Sequence, residues 1–343
     1  MRVVVTGGAG YIGSHAVRAL VDAGHAVAVL DDLSAGHEQA VPPGVPLVRA
    51  RIHDRAAVTK LLADHRADAV MHFAAWLAVA ESVQKPLEYY QNNVGGTLAV
   101  LEAMRDAGVG RFIFSSTCAV YGEPSGVPIV ETLEKRPINA YGETKLAVER
   151  ALPHFERAYG IKWIALRYFN AAGAHPDGTI GEDHADEIHL IPLAIRAANG
   201  GTPLRVFGED YPTPDGTCLR DYIHVSDLAD AHVIALDHLV AGGTSLTLNC
   251  GYGHGHSVME VLARVQRQAN MPIDIRDASR RPGDPPVLIA DPGKLRRVLT
   301  WQPRYDDLDL IIRTALDWER KNRVDAGPKA KTAAPARVSV LRS

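Results

Sequence analysis

"RVVVTGGAGYIG", residues 2–13, decides the fold. "RVVVT" is a short apolar run of strand character, and residues 11–23 carry helical periodicity. Gly7, Gly10 and Gly13 sit between them, so the stretch reads strand, tight turn, helix. Glycines permit the turn and a close backbone approach, and the helix start offers free N–H groups and a partial positive charge to a pyrophosphate. Asp31 ends the next apolar run, "HAVAVLDD" (25–32), where the dinucleotide pattern requires an acidic residue for ribose hydroxyls. A carboxylate there disfavours a 2′-phosphate, so NAD is expected over NADP. Candidate cofactor residues in this unit are Gly7, Gly10, Tyr11, Ile12, Gly13 and Asp31.

Working outward, strand-like runs recur at 45–50, 67–75, 111–116 and 162–169. Helical stretches are expected at 54–65, at 86–107 as one long helix, and from Tyr141. This alternation predicts an α/β fold, a Rossmann-type doubly wound parallel sheet with helices on both faces. After about residue 170, Gly, Pro, Asp and His dominate 171–187 and 208–217, and helical patterns return at 188–199, 226–239 and 257–269. The expected division is a cofactor domain over 1–170, with a returning segment around 220–250 that includes "SLTLNC" (245–250), and a smaller α/β lobe over 171–325. Residues 326–343, rich in Ala and basic or small residues, are expected to form a poorly ordered tail.

The 343 residues carry a formal charge of −3, which gives no global attraction to nucleic acid or to an anionic membrane. No apolar run reaches the roughly 20 residues needed to span a bilayer. The strand-like start leaves no room for a signal peptide, and three scattered cysteines fit a reducing compartment, so a cytoplasmic location is expected. Fifteen histidines show neither HExxH spacing nor a neighbouring CxxC pair, so no metal site is expected.

"NAYGETKLAVER" (139–150) places Tyr141 and Lys145 on one helix face. A free tyrosine has a pKa of about 10. A neighbouring ammonium and a positively charged nicotinamide are expected to favour phenolate, making Tyr141 a base toward a substrate hydroxyl as hydride leaves the same carbon. Thr117, in "FSSTCAVYG" (114–122), is placed to hydrogen-bond that hydroxyl.

Taken together, "TGGAGYIG", "ESVQKPLEYYQNNV" (81–94), "FSSTCAVYG", "YGETK", "RYFNAAGAHPDG" (167–178), "VFGEDYPTPDGTCLRDYIHVSDLADAH" (206–232) and "RRPGDPP" (280–286) resemble the UDP-glucose 4-epimerase family, within the extended short-chain dehydrogenases/reductases. The likeness covers about residues 1–320. It implies Tyr141 as catalytic base, Lys145 on the nicotinamide ribose and Thr117 as hydroxyl partner. It places Asn92, Ser115 and Tyr168 at the cofactor, and Asn170, His189, Phe207, Arg220, Asp284 and Leu288 around the UDP-sugar, with Arg220 on the pyrophosphate, Asp284 at the uridine ribose and Phe207 near uracil. It implies a homodimer through helices at about 86–107 and 141–159.

The chain departs from the pattern in places. Arg51 stands where relatives often have an Asp toward adenine, and Leu77 where some have a Lys near the cofactor phosphates. Leu288 replaces a bulky Tyr of some relatives, leaving room for an N-acetyl group. A 4,6-dehydratase needs an Asp-Glu pair after the Thr, and a UDP-glucuronate decarboxylase a Glu in the same segment; Cys118 and Ala119 follow Thr117 here. A UDP-pentose 4-epimerase would share almost all of these sites. A non-catalytic NAD sensor or scaffold has no need of a Thr–Tyr–Lys set.

Overall fold

The computed structural model describes residues 1–281 and 283–325, so the tail expectation for 326–343 lies outside the described residues. The first half contains strands β1 (Arg2–Thr6), β2 (Ala26–Asp31), β3 (Leu47–Arg49), β4 (Ala69–His72), β5 (Arg111–Thr117) and β6 (Lys162–Tyr168). Its helices are α1 (Tyr11–Asp22), α2 (Arg55–His65), α3 (Val79–Gln84), α4 (Pro86–Tyr89), α5 (Gly96–Ala107) and α6 (Ala140–Tyr159). The second half adds β7 (Asn170–Ala172), β8 (Leu204–Phe207), β9 (Leu219–Arg220), β10 (Tyr222–His224), β11 (Leu246–Cys250), β12 (His256–Ser257), β13 (Ile275–Ala278) and β14 (Val287–Leu288). It also adds α7 (Leu190–Ala198), α8 (Val225–Val240), α9 (Val258–Ala269), α10 (Gly293–Leu299) and α11 (Leu308–Asp325).

Seven strands form the central sheet in the order β11-β6-β5-β4-β1-β2-β3, with every pairing parallel. This is the Rossmann-type doubly wound order, extended at one edge by β11, which runs beside β6 from Leu246 opposite Ile164 to Cys250 opposite Tyr168. Alternation along each strand sends side chains to both faces. Val3, Val5, Val29 and Ile113 meet Val17 and Leu20 of α1 and Leu228 and Leu236 of α8. Val4, Leu30, Val70 and Phe112 meet Val58 and Leu62 of α2, Leu101 and Met104 of α5 and Leu152 of α6. Each fully buried aliphatic side chain stabilises by about 1.5–3 kcal/mol. The first of these cores continues into Ile195 of α7, Val261 of α9 and Ile312 of α11, so apolar packing crosses residue 170 without a break. Among the described residues no helix is long and apolar enough to cross a membrane.

The long helix expected over 86–107 is not continuous. A π-helical turn, Tyr90–Gly95, separates α4 from α5. Such wide turns serve sites that need a side chain moved off the helical surface. Here Asn93 is only 2% exposed; its Oδ1 accepts from the Trp76 N–H (2.9 Å), and its Nδ2 donates to the Trp76 carbonyl (3.0 Å) and to Thr144 Oγ1 (3.1 Å).

Helix α6 is set by Asn139, whose side chain accepts from the Gly142 N–H and caps the first turn. A buried ion pair fixes it to the sheet: Arg167 of β6 donates to both carboxylate oxygens of Glu149, at 2.9 and 2.5 Å. Ser116 of β5 donates to the same carboxylate, and Arg167 donates to Tyr121, which donates to Asn249 of β11. Both ion-pair side chains are 5% exposed. Removing one charge of such a pair strands the other in low dielectric. Glu149→Gln should therefore lower unfolding free energy by about 3–5 kcal/mol, read as a lower urea midpoint with an unchanged slope.

Candidate active site

The carboxyl ends of the central strands open into one cavity of about 1040 Å3. Every residue singled out from the sequence as a site candidate lines it, from Gly7 and Asp31 at one end to Arg220, Asp284 and Leu288 at the other, with Thr117, Tyr141 and Lys145 also in its wall.

At the first end, Gly7 takes φ +73° and donates to the Leu30 carbonyl (2.8 Å). A Cβ on Gly13 would lie 2.0 Å from the Gly7 carbonyl oxygen, so the start of α1 is pressed onto the end of β1 as only glycine allows. The Asp31 carboxylate accepts from the Ala9 N–H (3.0 Å) and the Leu33 N–H (2.9 Å), tying β2 to the turn. The bare glycine backbone at the cavity wall and the carboxylate beside it fit a dinucleotide with free ribose hydroxyls. Tyr11 hydrogen-bonds across to the second half, donating to the Gly173 carbonyl (2.7 Å). Arg51 is exposed and lies 3.9 Å from Asp32, and Leu77 is also exposed at the rim.

In the middle, Lys145 is 3% exposed; its ammonium donates to the Ser115 carbonyl (2.8 Å) and lies 5.0 Å from the Phe114 ring centre. The Ser115 hydroxyl and the Tyr168 hydroxyl are 2.5 Å apart. Thr117 accepts from the Ala119 N–H (3.1 Å) and so caps the turn that carries Cys118. Asn92 donates to Asn93 (3.1 Å). A chain of hydrogen bonds runs from the sheet to α6: Thr6 to His72 (2.7 Å), His72 to Thr97 (2.9 Å), Thr97 to the Asn93 carbonyl (2.6 Å), Asn93 to Thr144, and Thr144 to the Tyr141 carbonyl (2.7 Å). Burial first, and then the Lys145 charge, push His72 down to about 3, so this link is neutral.

The phenolate expected at Tyr141 rests on the Lys145 ammonium and a nicotinamide charge together. From the protein's own groups, burial pushes the Tyr141 phenol well above its ordinary value, with Tyr168 adding to the rise and the Thr117 hydroxyl opposing it. Burial likewise pulls Lys145 down to about 7, against the Glu149 charge. Burial thus disfavours the charged form of both groups in the protein alone.

At the far end, Arg220 is ion-paired with Asp284 and donates to the Leu219 carbonyl (2.8 Å). The Arg281 guanidinium sits 3.9 Å over the Phe207 ring, a contact that no sequence spacing announced. Asn170 donates its backbone N–H to the Asp221 carbonyl (3.0 Å), and Leu288 accepts from the Asp221 N–H (3.1 Å). His189 precedes α7 and contacts Glu182. The absence of HExxH or CxxC spacing pointed away from metal-ligand clusters, yet folding brings Glu182, His184, Glu187 and His189 together, with donor atoms all within 4.8 Å. Burial alone would lower both imidazoles, but the two neighbouring carboxylates outweigh it, lifting His184 to about 9 and His189 to about 10. The spacing Glu-x-His-x-x-Glu-x-His was the signal available in the sequence.

Residues 3–251 match the model of the NAD dependent epimerase/dehydratase family. The chain belongs to that family. It is 51% identical to the UDP-glucose 4-epimerase of Azospirillum brasilense over 327 residues, covering 95% of this chain and 94% of the other. The UDP-glucose 4-epimerase of Brucella ovis, solved in complex with NAD, is 48% identical with a TM-score of 0.90, covering 92% of this chain and 97% of that one. A UDP-Glc/GlcNAc 4-epimerase from Campylobacter jejuni is 42% identical with a TM-score of 0.82, over 93% of this chain and 99% of that one. Within this epimerase/dehydratase fold, the glycine turn lies in the wall of the cavity.

Lys145 gives a pH signature. Its folded value of about 7 lies below the ordinary 10.5, so between those values the unfolded chain binds a proton that the folded chain does not. Stability therefore rises with pH across that window and is lost again as pH falls toward 7. NAD-free wild type should lose stability relative to Lys145→Met when urea unfolding is compared at the upper and lower ends of that window. A constant difference between the two proteins would contradict the assignment.

Proposed function

We infer that the chain is an NAD-dependent UDP-glucose 4-epimerase, interconverting UDP-glucose and UDP-galactose through a 4-keto sugar. The observation that carries this is the single cavity lined by the glycine turn and Asp31, by Tyr141, Lys145 and Thr117, and by Arg220 and Asp284. NAD, when bound, supplies the hydride acceptor and a fixed positive charge. Gly7, Gly10, Gly13 and Asp31 would hold its dinucleotide, and Lys145, beside Ser115 and Tyr168, would hold its nicotinamide ribose.

In this reading Tyr141 takes the proton of the sugar C4 hydroxyl, and Thr117 hydrogen-bonds the same oxygen. Desolvation keeps Tyr141 neutral in the protein alone, so the phenol becomes a base only when positive charge enters beside it. Each unit by which that charge lowers the phenol pKa corresponds to about 1.36 kcal/mol. The second lobe anchors the nucleotide: Arg220 on the diphosphate, Asp284 on the uridine ribose, Phe207 beside uracil, with Asn170 and His189 on the remainder. The sugar stays loosely held, turns over as the ketone and is reduced on its other face, with no net redox change.

Conversion of UDP-galactose to UDP-glucose, followed chromatographically, tests this. Tyr141→Phe should lower turnover by about 10²–10⁴-fold while fold and NAD content persist. Unaltered turnover in that variant would reject the assigned base.

The range of sugars is a finer proposal. Leu288 of β14 lines the cavity, and its modest side chain leaves space for a C2 N-acetyl group. The similarity to the Campylobacter jejuni UDP-Glc/GlcNAc enzyme supports this. Leu288→Tyr should reduce UDP-GlcNAc conversion by about 10-fold or more and leave UDP-glucose conversion within a few-fold. Equal effects on both sugars would count against it.

A homodimer through α4, α5 and α6 fits the exposed Leu87 of α4 and Tyr159 of α6. Leu87→Asp should shift sedimentation velocity from dimer toward monomer; a wild-type monomer would dismiss the idea. The three cysteines are free and buried, in keeping with a reducing, cytoplasmic setting.

A further inference from the structure

We propose that Glu182, His184, Glu187 and His189 form a binding site for a divalent transition-metal ion of the zinc type, set in the cavity wall apart from Tyr141. The donor atoms of these side chains all lie within 4.8 Å of one another, and three of the four residues line the cavity. With Glu187 Oε2 as the fourth donor, two separations match edges of a coordination tetrahedron: His184 Nδ1 is 3.3 Å from a Glu182 oxygen and 3.6 Å from Glu187 Oε2. Bonds of about 2.0–2.2 Å to a tetrahedral ion put neighbouring donors about 3.3–3.6 Å apart. The His189–Glu182 contact is closer, a direct hydrogen bond that an ion would replace.

A second observation points to a ligand. The Glu187 side chain is 1% exposed, and its Oε2 is buried with no hydrogen-bond partner, as is His184 Nδ1. The other Glu187 oxygen accepts from the backbone N–H groups of Ile188 (2.8 Å) and His189 (2.9 Å), which turns Oε2 toward the imidazoles. Buried donors without partners are costly unless something fills the space between them.

Charge is compatible with an ion. A divalent ion taking the place of one proton on each imidazole leaves the net charge of the cluster unchanged. Arg196 lies 3.8 Å from Glu187 but is shared with Glu319. Two imidazole nitrogens with two carboxylate oxygens suit zinc and its neighbours, whereas magnesium and calcium prefer oxygen alone. The ion would pin the segment leading into α7 against its surroundings, where His37 reaches the Asp183 carbonyl (2.8 Å) and Trp318 donates to the Glu182 carbonyl (2.9 Å).

The test uses tag-free, full-length, NAD-loaded protein. Titration with Co2+ should show saturable uptake of about one ion per chain, with the visible absorption of a tetrahedral site. His184→Ala and Glu187→Gln should each weaken that uptake by about 100-fold or more, with circular dichroism and NAD content unchanged. Because a variant can fail to fold, wild-type crystals soaked in Zn2+ give an independent readout: an anomalous peak at the zinc edge among the four side chains. No saturable uptake, uptake undiminished in both variants, or an anomalous peak only elsewhere would overturn the proposal. An ion-pair cluster satisfied by protons alone gives the first of these outcomes.

Discussion

Exclusion of water from the ground between β5 and α6 is the constraint on which the catalytic arrangement depends. Tyr141 and Lys145 both lie there, and the same desolvation disfavours phenolate and ammonium alike. A phenol kept neutral by burial would become a base only with a cation beside it, and in a medium of low dielectric such a charge would count for far more than in water. The fold holds the helix bearing both residues in register with the sheet.

That register comes from layers of contact that are mostly polar and wholly buried. Glu149 and Arg167 fix α6 to β6, and Ser116, Tyr121 and Asn249 extend the grip to β5 and β11. On the other side the Asn93–Thr144 bond joins α6 to the π-helical turn, and His72 carries the connection back to β1. Partly satisfied networks of this kind are expensive, and fully connected ones specify a single geometry. The catalytic helix is located from two directions, by elements far apart in sequence.

What could be read from sequence follows from how local each feature is. The glycine turn was legible because its chemistry lies within one strand–turn–helix unit, and a Cβ at Gly13 is excluded by Gly7 itself. The alternation of strands and helices was legible for the same reason, and the parallel sheet followed from it. The interruption of the expected 86–107 helix was not, because "YQNNV" is compatible with an α-helix and its wide turn is stabilised by Trp76 and Thr144, far off in the chain. The burial that raises the Tyr141 phenol was not legible, because it is a tertiary quantity invisible to an i, i+4 spacing. Asp31 was nameable from the dinucleotide pattern and Asp284 through family resemblance, while Arg281 over Phe207 and the Glu182–His189 cluster became visible only once the chain had folded.

The unbroken packing of Val3 and Ile113 with Ile195, Val261 and Ile312 has a consequence for how a ligand gets in and what holds it. Two halves that share one interior cannot swing apart like jaws, since parting them would expose aliphatic surface at about 25 cal/mol per Å2. Shifts of rim side chains would then admit the ligand. A ketone formed as hydride leaves the sugar would be retained by the tether of its nucleotide.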